Sequence, residues 1–262
     1  MSLTLIIAGV ALWSLYGGTA FAQEQVLIFQ DTFEVSESDT TDLSFENDER
    51  QSGALGASTY SDSLEDLTVL NSEWAPGKLS LFPEPGIEWV AVSPDHNFVF
   101  GSPFTIEFEV DAGLDDEDNA SGDWAAVVFG ATSKNSWVIS ADGFGILFRN
   151  NGDIQVFDGE ASIYGGNGGF AAGIPKDDLE IRIEVEVDSF DGASPATIRL
   201  FINGEAAVIA AGGATEYVKA AGFKANHITL QGLAGGGNMW QHTFDNLSVS
   251  AVPGISMSPT EF

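Results

Sequence analysis

The 262-residue sequence has no cysteine, three histidines, and nine Lys and Arg against 39 Asp and Glu. Each shortage excludes something. Without cysteine there is no disulfide framework, no thiolate zinc site and no cysteine nucleophile. His96, His227 and His242 are scattered; they read as structural or exposed groups rather than as general bases or a His-rich metal site. The formal net charge of −30 argues against binding nucleic acid or an anionic membrane surface, both of which need patches of Lys and Arg. No G-x-S-x-G elbow occurs. The glycine string at 165–169 lacks the following Lys and helix of a phosphate loop. What is abundant is apolar: 44% of the residues, including 19 Phe, which calls for a packed core rather than a disordered acidic chain.

Residues 1–22 contain no charge. A mostly apolar run, Leu3–Tyr16, is followed by Gly17, Gly18 and Thr19, and then by Ala20-Phe21-Ala22 before Gln23. This is the layout of a secretory signal peptide cleaved after Ala22, although no Lys or Arg precedes the run. An uncleaved membrane anchor is the alternative. The expected organisation is a signal peptide over 1–22, one domain over 23–252 and a short tail over 253–262. The entire charge falls in the exported part. Secretion from a bacterium into saline or calcium-rich water suits such acidity, because counterions screen the self-repulsion.

Period-two alternation recurs along the chain and predicts half-buried strands. In FTIEFEVD, Phe104, Ile106, Phe108 and Val110 alternate with Thr105, Glu107, Glu109 and Asp111. In EIRIEVEV, Ile181, Ile183, Val185 and Val187 alternate with Glu180, Arg182, Glu184 and Glu186. Further strands are expected at 26–33, 78–82, 87–92, 124–130, 136–140, 145–149, 153–158, 197–204, 227–233 and 242–250. Trp89 is expected in the core with Ile87 and Ala91. Asn150-Asn151-Gly152 and Asn203-Gly204 mark tight turns that need positive φ. Residues 34–66 read as a long polar loop, and 216–224 as one helical turn. About a dozen short strands around one core imply an all-β fold, a two-sheet antiparallel sandwich.

The order of several motifs carries a resemblance. FTIEFEVDAG (104–113) resembles an early strand of laminin-G-like jelly rolls. IRIEVEVDSFDG (181–192) followed by IRLFING (198–204) resembles the later strand pair of that fold, and FDNLSVS (244–250) its closing strand. With GILFRNNGDIQVFDG (145–159), these make the chain similar to the concanavalin A-like lectin/glucanase superfamily over roughly residues 26–250. The superfamily includes sugar-binding modules, glycoside hydrolases, polysaccharide lyases and adhesion domains, so fold alone does not assign a function.

Hydrolases of this superfamily carry acids on alternate positions of a strand. Glu184 and Glu186, with Asp188 beyond, approximate that motif in a different order. Side chains two apart on a strand are separated by roughly 6.8 Å, within the roughly 5–9.5 Å that paired catalytic carboxyls require. The competing reading is that a chain with so many acids places them on every solvent-facing strand. The lyase pattern of Tyr with His, Arg or Gln has no local signature here.

A sugar site needs an aromatic platform with convergent polar groups. Trp240, which follows a glycine-rich loop containing Asn238, is the first candidate, with Trp124 and Trp137 as further ones. Calcium favours oxygen ligands. The acidic loop at 115–119 does not fit an EF-hand. The resemblance implies instead a calcium held by acids of the first and last strands, at the positions of Asp31 and Asp245. The expected function is therefore non-catalytic glycan or surface binding by a secreted sandwich, with calcium as its candidate structural ion. A hydrolase or lyase of the same superfamily, and a matrix protein that self-associates through sheet edges, are the alternatives.

Overall fold

The structure is a computed structural model, and it describes residues 24–35, 60–63, 68–83, 89–99, 103–112, 123–140, 142–149, 152–165, 179–233 and 241–252. In chain order the strands begin with β1 (Val26–Asp31), β2 (Tyr60–Asp62), β3 (Thr68–Ser72), β4 (Ala75–Leu81) and β5 (Val90–Pro94). Then come β6 (Phe104–Asp111), β7 (Trp124–Ala131), β8 (Phe144–Arg149), β9 (Ile154–Asp158) and β10 (Ala161–Tyr164). The remainder are β11 (Leu179–Val187), β12 (Ala196–Ile202), β13 (Glu205–Ala206), β14 (Glu216–Lys219), β15 (His227–Leu233) and β16 (His242–Ala251).

They form two antiparallel sheets. The nine-stranded sheet runs β13-β12-β11-β6-β16-β4-β3, with β1 added on β16 and β14 on β12. The seven-stranded sheet runs β10-β9-β8-β7-β15-β5-β2. Alternation sends one set of side chains from each sheet into a shared interior. Phe108 of β6 meets Phe148 of β8 across that interior at 6.2 Å and Phe244 of β16 at 6.1 Å, in the edge and tilted geometries aromatic rings favour. The two acid-striped motifs became β6 and β11, paired in register with Arg182 opposite Glu107. Their apolar positions are buried.

β16 is shared between two neighbours. Its start, His242–Phe244, pairs with β4, and Leu247–Ala251 pairs with β1. The change falls at Asn246, which takes a φ of +53 where the register with β6 shifts. One extra residue there lets Phe244, Leu247 and Val249 all face the core, which strict alternation would forbid. Asparagine tolerates the left-handed backbone better than most residues.

Three expectations need correction. The 216–219 segment is not a helical turn but the edge strand β14, because Tyr217 and Lys219 face inward while Glu216 and Val218 face out. Residues 136–140 form turns rather than a strand, for a reason given below. Trp89 is not in the core; it precedes β5 and is only half-buried. The long polar loop contains β2, and the Asn150-Asn151 turn lies outside the described residues. The turn at Asn203-Gly204 has φ of +50 and +79, as a tight hairpin requires.

An ion pair joins the sheets at their edge. Lys219 on β14 is bonded to Asp158 on β9, and the Tyr217 hydroxyl donates to the same carboxylate at 2.7 Å. Burial, with Asp158 second, pushes the Tyr217 hydroxyl up to about 12. Removing one member of a buried pair strands the other charge. Lys219→Ala should therefore cost about 3 kcal/mol in urea unfolding, and Lys219→Met combined with Asp158→Leu should cost less than the single change.

Candidate functional site

The outward face of the seven-stranded sheet is partly apolar and is covered by the segment that follows β7. This segment, described over 132–140 and 142–143, closes on itself: Asp142 accepts hydrogen bonds from the Thr132 amide, at 3.1 Å, and from its hydroxyl. Lys134 is paired with Asp95. The Asn135 amide donates to Ser93 Oγ at 2.9 Å, with Asn135 held at a φ of +52. The Gln231 amide donates to the Ser136 carbonyl. Beneath it, Val138 lies so close to β8 that a Cβ on Gly145 would stand 2.2 Å from the Val138 carbonyl oxygen. The segment is thus a strap seated on the sheet, and glycine at 145 leaves the room for it. Its backbone serves these turns and anchors, which is why 136–140 cannot extend into a strand.

The strap carries Trp137 into an aromatic row. The Trp137 ring lies 5.3 Å from Trp89 on one side and 5.4 Å from Trp124 on the other, both tilted. Trp124 is nearly covered, at 5% exposure, and packs with Ala126, Val128 and Leu147. Trp137 and Trp89 are half-exposed. Next to Trp124 in the sheet stands Arg149, opposite it in register. Its guanidinium donates to Gln155 Oε1 at 2.5 Å, and Gln155 donates in turn to Ser162 Oγ at 3.4 Å. Burial pulls Arg149 below its ordinary value, against the attraction of Asp153. Two carboxamide oxygens by the strap, Gln231 Oε1 and Asn135 Oδ1, are buried without a hydrogen-bond partner among the described residues.

The structure therefore brings Trp124 and Trp137 together and adds Trp89, which sequence reasoning had assigned to the core. A signal for Trp89 was present: Val90 and Val92 are the apolar pair of that segment, whereas Trp89 shares its parity with Ala91 and Ser93. Asn238 and Trp240 lie outside the described residues. Leu233, where β15 ends before them, is opposite Trp124. His242 is buried under this end of the sheet, with its ring nitrogens 2.8 Å from the Ala112 carbonyl and 3.1 Å from that of Leu233. Burial drives its value down to about 4, partly opposed by those two carbonyls.

The acidic candidates lie elsewhere. Glu184 and Glu186 are on the outward face of the nine-stranded sheet. Glu184 is 3.5 Å from Arg182, while Glu186 is 2.9 Å from Arg199, which also holds Glu216. Asp31 and Asp245 do not form a shared metal site. Asp31 is fully buried opposite Leu247 and faces the interior, where it accepts from the Phe33 amide at 2.8 Å and the Tyr60 hydroxyl at 2.5 Å. Asp245 is opposite Glu109 on the outward face. The bulge at Asn246 separates the two parities. Among the described residues no group of three or more His, Asp or Glu is arranged to hold a metal ion.

Asp245 is pushed up to about 6 by burial, with Glu109 and Glu34 adding to the rise and the Asn246 amide and Lys78 opposing it. A carboxyl raised in this way favours the folded state while protonated; that contribution is present below about pH 4 and is lost as pH climbs through about 6. Asp245→Asn should accordingly raise Tm at neutral pH and leave it unchanged in acid, as a pair of melting curves would show.

No protein-family model matches the chain, and no curated protein does. Solved structures do. The carbohydrate recognition domain of Emp47p aligns with 91% of this chain and 100% of its own, at 11% identity and a TM-score of 0.48. The exoplasmic/lumenal domain of VIP36, in a form bound to Ca2+ and Man3GlcNAc, aligns with 79% and 88% at 10% identity and a TM-score of 0.45. An alginate lyase from a Chlorella virus aligns with 66% and 84% at 12% identity and a TM-score of 0.41. The two-sheet antiparallel sandwich is established by the strand pairing of this chain itself.

Proposed function

We propose that this protein is an exported, non-catalytic carbohydrate-binding sandwich, and that its glycan contact is the tryptophan row on the outward face of the seven-stranded sheet. One observation carries the reading: Trp89, Trp137 and Trp124 stand in consecutive ring contact where the tied strap crosses the sheet, with Arg149 and Gln155 alongside Trp124. Sugar rings present apolar C–H faces that pack on indole, while their hydroxyls need convergent donors and acceptors. Both kinds of partner occur here within one surface. The strap is tied at both ends and in its middle, so the platform is held before ligand arrives and little ordering remains to be done on binding.

Calcium has no part in this reading on the residues described, because Asp31 and Asp245 face opposite ways. Export belongs to the proposal through residues 1–22, and protein recovered from culture medium should begin at Gln23 on N-terminal sequencing.

The decisive experiment is affinity electrophoresis across a panel of polysaccharides. The wild-type protein should be retarded by at least one without releasing product. Trp137→Ala should weaken that retardation about tenfold or more, in line with the loss of an aromatic contact anchor, while leaving Tm within a few degrees. A protein that no glycan retards, or a Trp137→Ala variant that is retarded like the wild type, would overturn the reading.

A further inference from the structure

One described tryptophan has no part in the row. Trp74 is 68% exposed, the most exposed of the large apolar side chains among the described residues. It stands at the tip of the hairpin between β3 and β4, where Glu73 and Trp74 form a two-residue turn between the paired Ser72 and Ala75. Turns of that length ordinarily take glycine or asparagine, because one or both of their residues need positive φ. Neither Glu73 nor Trp74 has it. The left-handed backbone falls outside the turn, on Asn71 at +53 and Gly77 at +76. The tip positions are thus released from turn chemistry, and one of them carries an indole that neither shapes the turn nor enters the core.

The hairpin beneath that indole is tied down. The Ala75 amide donates to Ser72 Oγ at 3.1 Å and the Gly77 amide to Asn71 Oδ1 at 2.9 Å, while Asn71 Nδ2 donates to the Val35 carbonyl at 3.3 Å. Gln241, just before β16, donates through Nε2 to Ser72 Oγ at 2.9 Å and to Ser80 Oγ at 2.7 Å. Ser72, Ala75, Ser80 and Gln241 are all buried, so the base is packed while the indole above it is open. The other exposed large apolar residues described, Val26, Leu27, Val99 and Val218, lie on other elements. A protein interface of ordinary size needs about 800 Å² from each partner around an apolar centre, which one indole beside Glu73 and Lys78 does not supply. A sugar ring needs less: one aromatic face to pack its C–H surface, with polar groups at the margin for its hydroxyls. Glu73, next to the indole and exposed, supplies carboxylate acceptors of that kind.

We propose that Trp74 is a second glycan contact, so that the protein holds one class of sugar polymer at two places. The proposal rests on the carbohydrate-binding reading above and adds a site on the other sheet. The row lies across the seven-stranded sheet, whereas Trp74 caps the edge hairpin of the nine-stranded one. The two contacts therefore belong to separate layers, which in a sandwich pack about 10 Å apart, and a short oligosaccharide fills each of them separately. A long polymer engages both. Its second contact then forms at a high effective concentration, and overall affinity exceeds that of either contact alone by roughly 10²-fold or more. Because the tip is tied before ligand arrives, little ordering is needed at this contact either.

The test uses the full chain, the polysaccharide that retards it most strongly, and a short oligosaccharide cut from the same polymer. Calorimetric titration should find two oligosaccharides per wild-type chain, one per chain in Trp74→Ala and one in Trp137→Ala. The polymer should bind the wild type about 10²-fold more tightly than the oligosaccharide does, and Trp74→Ala should lose most of that gain. Trp74→Phe should keep part of it, since a smaller aromatic face still packs on a sugar, and Trp74→Glu should keep none. Tm should be unchanged in all three Trp74 variants, because the side chain is exposed and the turn does not depend on it. A Trp74→Ala variant that binds oligosaccharide and polymer as the wild type does would overturn the second contact and leave the row standing. Binding abolished by Trp74→Ala and untouched by Trp137→Ala would leave Trp74 as the single contact and overturn the row on which the proposal rests. A protein that no polysaccharide retards removes both.

Discussion

The structure depends on the apolar contact between the inner faces of the two sheets. Phe108 marks its centre, touching Phe148 across the interior and Phe244 beside it. Once those faces meet, each strand has one committed parity and one free parity. The acid stripes and the tryptophan row both lie on free parities, one on each sheet. The bulge at Asn246 shows how strict the constraint is. The chain takes a left-handed residue in its closing strand so that Leu247 and Val249 can join Phe244 inside.

The two free faces have been used differently. That of the nine-stranded sheet is striped with acids and with the arginines that pair with some of them, as expected for a surface kept soluble by charge. That of the seven-stranded sheet is half apolar and would be unsuitable as bare surface. The strap that begins at Thr132 covers part of it and leaves an aromatic row with Arg149 and Gln155 alongside. Its position rests on small features: the space at Gly145, the Ser93 hydroxyl under Asn135 and the closure of Thr132 on Asp142. A candidate site built on a tied strap over a rigid sheet has its geometry before any ligand is present.

Much of the scaffold was legible in the sequence. Alternation located β6, β11 and the paired β12, and the Asn203-Gly204 turn between β12 and β13, because a half-buried strand must repeat every two residues. Tyr217 and Lys219 were less legible. An edge strand as short as β14 has too few positions to establish a period, and its inward lysine is buried only because Asp158 waits on the other sheet. Trp124 and Trp137 could be singled out as aromatic candidates, but no local pattern joined them. They are neighbours only because the strap folds back over its own strand. Trp89 was misread because Ile87, Trp89 and Ala91 share a parity that looks apolar, whereas the neighbouring Val90 and Val92 are the pair that enters the core.

By itself the sequence determined the class of the fold, the parity of the long strands and the total charge, since each depends on residue type and on spacings of two. Only the tertiary structure decided where that charge went. It set Asp31 and Asp245 on opposite faces, paired Glu184 and Glu186 with arginines, and placed no acid at the described outward positions of β5, β7, β8, β9 and β15. These outcomes depend on which strands become neighbours and on a one-residue bulge that reverses parity, and neither is encoded within any single stretch of chain.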